Sequence, residues 1–230
     1  MQLPDAPTPL RQASMVLRLT AHLARQNKAL ARAVKAVPKP VPWDWAAPRL
    51  MPLLAGPRFD DPAMPLVRHP SGIGPIAEFG LDLGSLFLMV DRPVAERWEC
   101  TSAQLMERGL RNLRERAAKL RPEQAVTGVM SGRPIRILQD RPIWASSLLM
   151  DLESLTRLFG PHDQLLAAPT TKCLVSLPAG TPWPIAAEIV VDLEASSFEP
   201  LFLDPFALEN GELVWGGDAR DDDDLEDWTS

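Results

Sequence analysis

Residues 144–175, WASSLLMDLESLTRLFGPHDQLLAAPTTKCLV, hold the residue types that nucleophilic acyl transfer requires. Ser146, Ser147 and Cys173 offer nucleophiles, and His162 beside Asp163 offers a base with a neighbouring carboxylate. That chemistry needs the base within hydrogen-bond reach of the nucleophile and a sharp strand-to-helix turn to present it. Neither is signalled. On a helical wheel Ser146 falls with Glu153 and Arg157, opposite Leu148, Leu152, Leu155 and Phe159, so it is expected to face water. His162 and Asp163 follow Gly160 and Pro161, where polar side chains satisfy turn backbone. The stretch reads as helix, turn and packed strand, and no catalytic residue is assigned.

Metal and cofactor chemistry finds no better footing. His22, His69 and His162 lie in separate elements, none at the i, i+4 spacing of a helical zinc pair. Cys100 and Cys173 stand far apart and outside any CxxC pattern, so both read as reduced, packed thiols. The aspartates at 221–224 lack the alternating ligands, central glycine and closing glutamate of a calcium loop. The GIG at 72–74 lacks the third glycine and following helix of a dinucleotide fingerprint, and Pro75 intervenes. No metal or cofactor is expected. The candidate ligand-binding residues are Asp82, Asp91 and Asn112, two carboxylates near strand ends that would hold a cation or a polar ligand. The competing expectation is that they cap turns and strand ends.

The elements that must position these residues follow from periodicity and punctuation. Thr8-Pro9 starts a helix over 9–36, striped by Leu10, Ala13, Leu17, Leu23, Leu30 and Val34. A proline-rich connection over 37–48 is expected to be extended, and RLMPLL and MPLV then look like short strands. HPSGIGPI reads as a turn and SLFLMVD as a buried strand. Thr101 and Gln104 form a capping box ahead of Met106, Leu110, Leu113, Ala117 and Leu120, a helix with one buried face. Strands at 125–130 and 134–139 follow, then a helix over 142–159, strands QLLAAP and KCLVSL, a helix from Pro184, and a hairpin across ENG. The helix-strand-strand order recurs, and short turns between strands favour antiparallel pairing. The expected class is α+β, with repeated helix-strand-strand units and helices packed on mostly antiparallel sheet.

Length and composition agree with a folded body: 230 residues, 46% apolar and 23% charged, suffice for a substantial core. The 24 prolines are about twice the usual share and cluster between Pro38 and Pro75, which places irregular chain there. The expected division is a basic N-terminal helix (1–36), a proline-rich linker (37–48), an α+β body (49–216) and a disordered acidic tail (217–230). No secretory leader or membrane-length apolar run is read, so a cytoplasmic protein is expected.

With its elements laid out, the chain resembles the YtpQ-like family of bacterial proteins, a domain family without an assigned activity. The likeness rests on MPLVRHPSGIGPIAEFGLDLG, the Val90-Asp91 pair, ERGLRNL, residues 145–176 and the closing LENGELV, in that order. It spans about 9–215 and departs after Pro169, where an acidic residue is expected and this chain reads TTKCL. The resemblance implies no reaction.

Charge supplies the functional expectation. The formal net charge of -6 conceals seven cations and no acid from Arg11 to Lys39, against a tail dense in aspartate. The basic helix carries no interleaved aromatics, so a solvated face or an internal partner is favoured over nucleic acid. Within the tail, Leu225 and Trp228 are apolar anchors in a field of like charge, suited to dock a protein partner. A non-enzymatic protein-interaction module is the leading expectation. An enzyme or small-ligand protein using a pocket near Asp82 and Asp91 is the alternative, and nucleic-acid binding through the first helix is the third.

Overall fold

A computed structural model describes residues 31–55, 67–68, 76–84, 87–139, 144–197, 200–201 and 203–215. Contacts divide the chain into a unit that ends at Pro42 and a unit that begins at Trp43. In the first unit, residues 31–35 are helical, in keeping with the end of the long basic helix. The remainder of that helix, the GIG turn, His22, His69, and the tail with Leu225 and Trp228 lie outside the described residues.

The second unit opens with helix α1 (Trp43–Ala46) and a 3-10 turn, Ala47–Arg49, rather than the extended connection that its prolines suggest. Tertiary packing overrides the local preference. Trp43 packs against Trp98 with ring centroids 5.4 Å apart, and the Arg49 guanidinium lies 4.3 Å over the Trp45 ring. Ala46 and Ala47 are buried beneath them.

Four antiparallel strands form the smaller sheet: β1 (Leu50–Ala55), β2 (Val67–Arg68), β3 (Ile76–Asp82) and β4 (Phe87–Met89). Strand β3 is central, with β1 along one side and β2 and β4 pairing its two ends on the other. Its sequence, IAEFGLD, hides this role, because Glu78 and Gly80 interrupt the apolar run and yet both are buried. A side chain at Gly80 would meet Leu53 Cδ1 at 3.0 Å and Phe87 Cδ1 at 3.1 Å, so the small residue lets the neighbouring side chains close over the strand. Strand β4, expected to be buried, is only partly so: Met89 is exposed, and burial resumes at Val90.

Two helices follow, α2 (Arg92–Arg97), which periodicity did not reveal, and α3 (Ser102–Ala117). The capping box of α3 is formed: Gln104 N–H donates to Thr101 Oγ1 at 3.2 Å, and Thr101 N–H donates to Gln104 Oε1 at 2.8 Å. At its far end Arg157 donates to the carbonyl of Ala117, which also accepts the Leu120 N–H at 2.9 Å, and to that of Leu120 just beyond the helix.

The larger sheet has six antiparallel strands in the order β10-β9-β7-β8-β6-β5. They are β5 (Val126–Met130), β6 (Arg133–Gln139), β7 (Gln164–Thr170), β8 (Cys173–Pro178), β9 (Phe206–Glu209) and β10 (Glu212–Trp215). The β5–β6 and β9–β10 hairpins turn through Ser131-Gly132 and Asn210-Gly211, all four at positive φ, as tight two-residue hairpins require. One face packs on helix α5 (Trp183–Ala195): Ile135, Leu165, Val175 and Leu177 share a core with Ala186, Ile189 and Val190. The opposite face buries Leu138, Leu166, Leu174, Phe206 and Leu208. The architecture is α+β, helices packed on antiparallel sheets.

Between the sheets runs Ala145–Met150, a 3-10 helix whose six residues are all buried, followed by α4 (Leu152–Phe159). It touches β1 of the smaller sheet and β7 and β8 of the larger one. The single helix expected over 142–159 is therefore two elements. Ser146, placed on a solvated face by the helical wheel, is completely buried, and Leu152, placed in the stripe, is exposed. The wheel assumes 3.6 residues per turn and one buried side, whereas this segment winds more tightly and is enclosed all round.

Candidate functional site

Helix α3 presents Arg108, Asn112 and Arg116 at successive turns of one face, and each reaches the start of the second unit. Arg108 Nε donates to the Ala47 carbonyl at 3.0 Å, and Arg116 Nη2 donates to Pro48 O at 3.2 Å. Asn112, buried, donates from Nδ2 to Ala47 O at 2.7 Å and to Leu50 O at 2.8 Å. Gly109 makes this closeness feasible, since a Cβ there would lie 3.0 Å from Pro52 Cδ and 3.3 Å from Pro52 N. The ERGLRNL motif thus encodes a helix-to-strand junction.

Asp82 enters the junction from the end of β3. Its Oδ2 lies 3.5 Å from Arg116 Nη1, and its Oδ1 accepts the Gly84 N–H at 2.7 Å. Asp91 sits elsewhere. It caps α2 by accepting the Val94 N–H at 2.9 Å. The β3–β4 ladder runs from Asp82, paired with Phe87, to Gly80, paired with Met89, and Asp91 follows beyond its far end in the cap of α2. The structure therefore joins Asp82 and Asn112 through Arg116 on α3 and leaves Asp91 apart. Among the described residues no group of three or more His, Cys, Asp or Glu could hold a metal ion.

In the serine pair, Ser146 Oγ donates to Thr171 O at 3.1 Å, and the same carbonyl also accepts the Ser146 N–H at 3.2 Å. Ser147 is fully buried, and its hydroxyl has no hydrogen-bond partner. Among the described residues neither hydroxyl is hydrogen-bonded to a histidine or carboxylate side chain. Asp151, buried where the 3-10 segment meets α4, accepts Ser154 Oγ at 2.6 Å and lies 3.4 Å from Arg114 Nε. Cys173 belongs to the core beneath α5, and burial raises the Cys100 thiol above its ordinary range, which lowers its thiolate fraction.

A second polar assembly surrounds a surface cleft of about 400 Å³ where α4 ends over the larger sheet. Arg136, Ser176 and Gln164 form its polar part, with His162 and Asp163 at its lip and Phe159, Pro134 and Pro178 as apolar walls. Strand alternation explains the grouping. Register pairs Thr127 with Arg136 and Arg136 with Ser176, so these side chains share one face. Gln164 is buried and holds the lip: its Nε2 donates to Gly160 O at 3.1 Å and His162 O at 3.2 Å, and its Oε1 accepts Ser176 Oγ at 2.5 Å. Asp163 Oδ1 accepts the Asn210 N–H at 3.0 Å, which ties the lip to the β9–β10 turn.

His162 and Asp163 thus belong to the cleft, and the sequence reading had them only as turn punctuation. It did not single out Arg136, Gln164 or Ser176. The available signal was a single polar residue interrupting an apolar strand interior, Arg136 in RPIRILQ and Ser176 in CLVSLP. The Ser176 proton is directed at an amide oxygen, too weak a base to activate a nucleophile. Searches against protein-family models, curated proteins and solved structures return no match.

Proposed function

We propose that the protein is a non-enzymatic, cytoplasmic interaction module that takes an extended segment of a protein partner as an added strand along β5. The observation that supports this is the character of that edge. Among the described residues β5 ends the six-stranded sheet, and its sequence, VTGVM, contains neither charge nor proline. Val126 is 65% exposed and Val129 is 72% exposed, on opposite faces of the strand. Sheet edges are ordinarily blunted by lysine, proline, a bulge or a cover. An edge without them offers free backbone groups for affinity and flanking apolar side chains for selectivity, the basis of strand addition. The acidic segment with Leu225 and Trp228 is a second point of partner contact in this proposal, steering the encounter by charge. The resemblance to YtpQ-like proteins adds no reaction to it.

Hydrogen exchange on the full chain with a captured partner is the direct test. Binding is expected to protect the amides of Val126–Met130 and to be lost in Val129→Lys. Binding that leaves those amides unprotected, survives Val129→Lys and disappears on deletion of 218–230 would move the function to the tail and refute the edge.

A further inference from the structure

We propose that the cleft beside β6 is a binding site for a small organic monocarboxylate with a flat apolar body, an activity separate from partner binding at the β5 edge. The first ground is an arginine with unused valence. Arg136 donates one hydrogen bond, Nη2 to Pro122 O at 3.0 Å, and has no ion-pair partner among the described residues. A guanidinium carries five N–H donors, so most remain open. Arg111, Arg114 and Arg116, by contrast, each face a carboxylate.

The second ground is that this arginine is held in place. Its Cζ lies 5.6 Å from the centroid of the Phe159 ring, which packs against the cation and limits its rotamers. A planar fork kept in one orientation matches the two oxygens of a carboxylate. Phe159, Pro134 and Pro178 then supply apolar surface for the rest of the ligand. The volume of about 400 Å³ lies within the range of small-molecule sites.

The third ground sets the charge. Asp163 lines the same cleft, and a dianion such as phosphate would meet its repulsion with a single arginine to offset it. A monoanion meets less. His162, on the same lip, makes no side-chain hydrogen bond among the described residues and is free to donate to the second carboxylate edge.

Benzoate is the probe, read by NMR of the His162 ring in the full chain, with the resonance assigned through His162→Gln. Benzoate is expected to shift that resonance saturably, and benzamide and inorganic phosphate are expected to bind at least about tenfold more weakly. Arg136→Gln should weaken benzoate by about tenfold or more, with the far-ultraviolet circular dichroism unchanged. If that variant does not fold, Arg136→Lys decides, since it keeps the charge and removes the planar fork. Absence of a saturable shift, equal binding of benzamide, tighter binding of phosphate, or undiminished binding in a folded Arg136 variant would each overturn the proposal. The β5 edge is untouched by any of these outcomes, because Val126→Lys, whose side chain leaves the face of the strand opposite the cleft, is expected to leave benzoate binding as it is.

Discussion

The α3–β1 junction and the cleft beside β6 are both built around arginine, yet they put it to opposite uses. At the junction Arg108, Asn112 and Arg116 all donate into carbonyls of Ala47, Pro48 and Leu50, and Arg116 also faces Asp82. Those acceptors exist because a 3-10 turn runs straight into a strand and leaves carbonyls without intrahelical partners. In the cleft, Gln164 and Ser176 satisfy each other and the lip, while Arg136 is positioned and largely unspent. A dense set of polar residues is thus no guide to function by itself. Valence left over after the fold is satisfied is the better guide.

Four substitutions test that distinction, beginning with the largest expected effect. Asn112→Leu removes both donors of a buried amide and strands the Leu50 carbonyl. It should cost about 3 kcal/mol in chemical denaturation, the sum expected for a lost bond pair and a buried unsatisfied acceptor. A loss below about 1 kcal/mol would break the comparison by showing that the junction is not structural.

Ser146→Ala should cost about 1 kcal/mol, because Thr171 O loses the hydroxyl donor but keeps the Ser146 N–H. Had Ser146 faced water, as its wheel position suggests, the cost would be near zero, and the same denaturation measurement separates the two cases. The smallest effects belong to the cleft and its edge. Arg136→Gln and Val129→Lys should each change stability by less than about 1 kcal/mol, since one hydrogen bond at the surface and one exposed valine are involved. A larger loss at Arg136 would place it with the junction residues and sharpen the boundary between the two regions.

Much of the fold was legible before the structure. The capping box at Thr101 and Gln104, the hairpin signals at Ser131-Gly132 and Asn210-Gly211, and the strands of the larger sheet all form as local rules predict. Those rules act over a few residues: a side chain reaching its own backbone, a turn needing positive φ, a pleat that alternates. Asp91 and Asn112 show the limit of such rules. Both were legible as polar residues with a purpose, but only the structure separates a cap on α2 from an amide that fastens α3 to the 3-10 turn.

What the sequence determined alone was the α+β class, antiparallel pairing and the bounds of most elements of the larger sheet, because these depend on periodicity and on residues close in the chain. Tertiary structure alone decided the rest. It wound Trp43–Arg49 into helical turns against Trp98, enclosed all six residues of Ala145–Met150 between two sheets, and made IAEFGLD a central strand. It also brought Arg136, Gln164 and Ser176 from three strands to one cleft. The physical reason is common to all four. Burial and hydrogen-bond satisfaction are set by neighbours distant in the chain, and where those neighbours surround a segment their contacts outweigh its local preference.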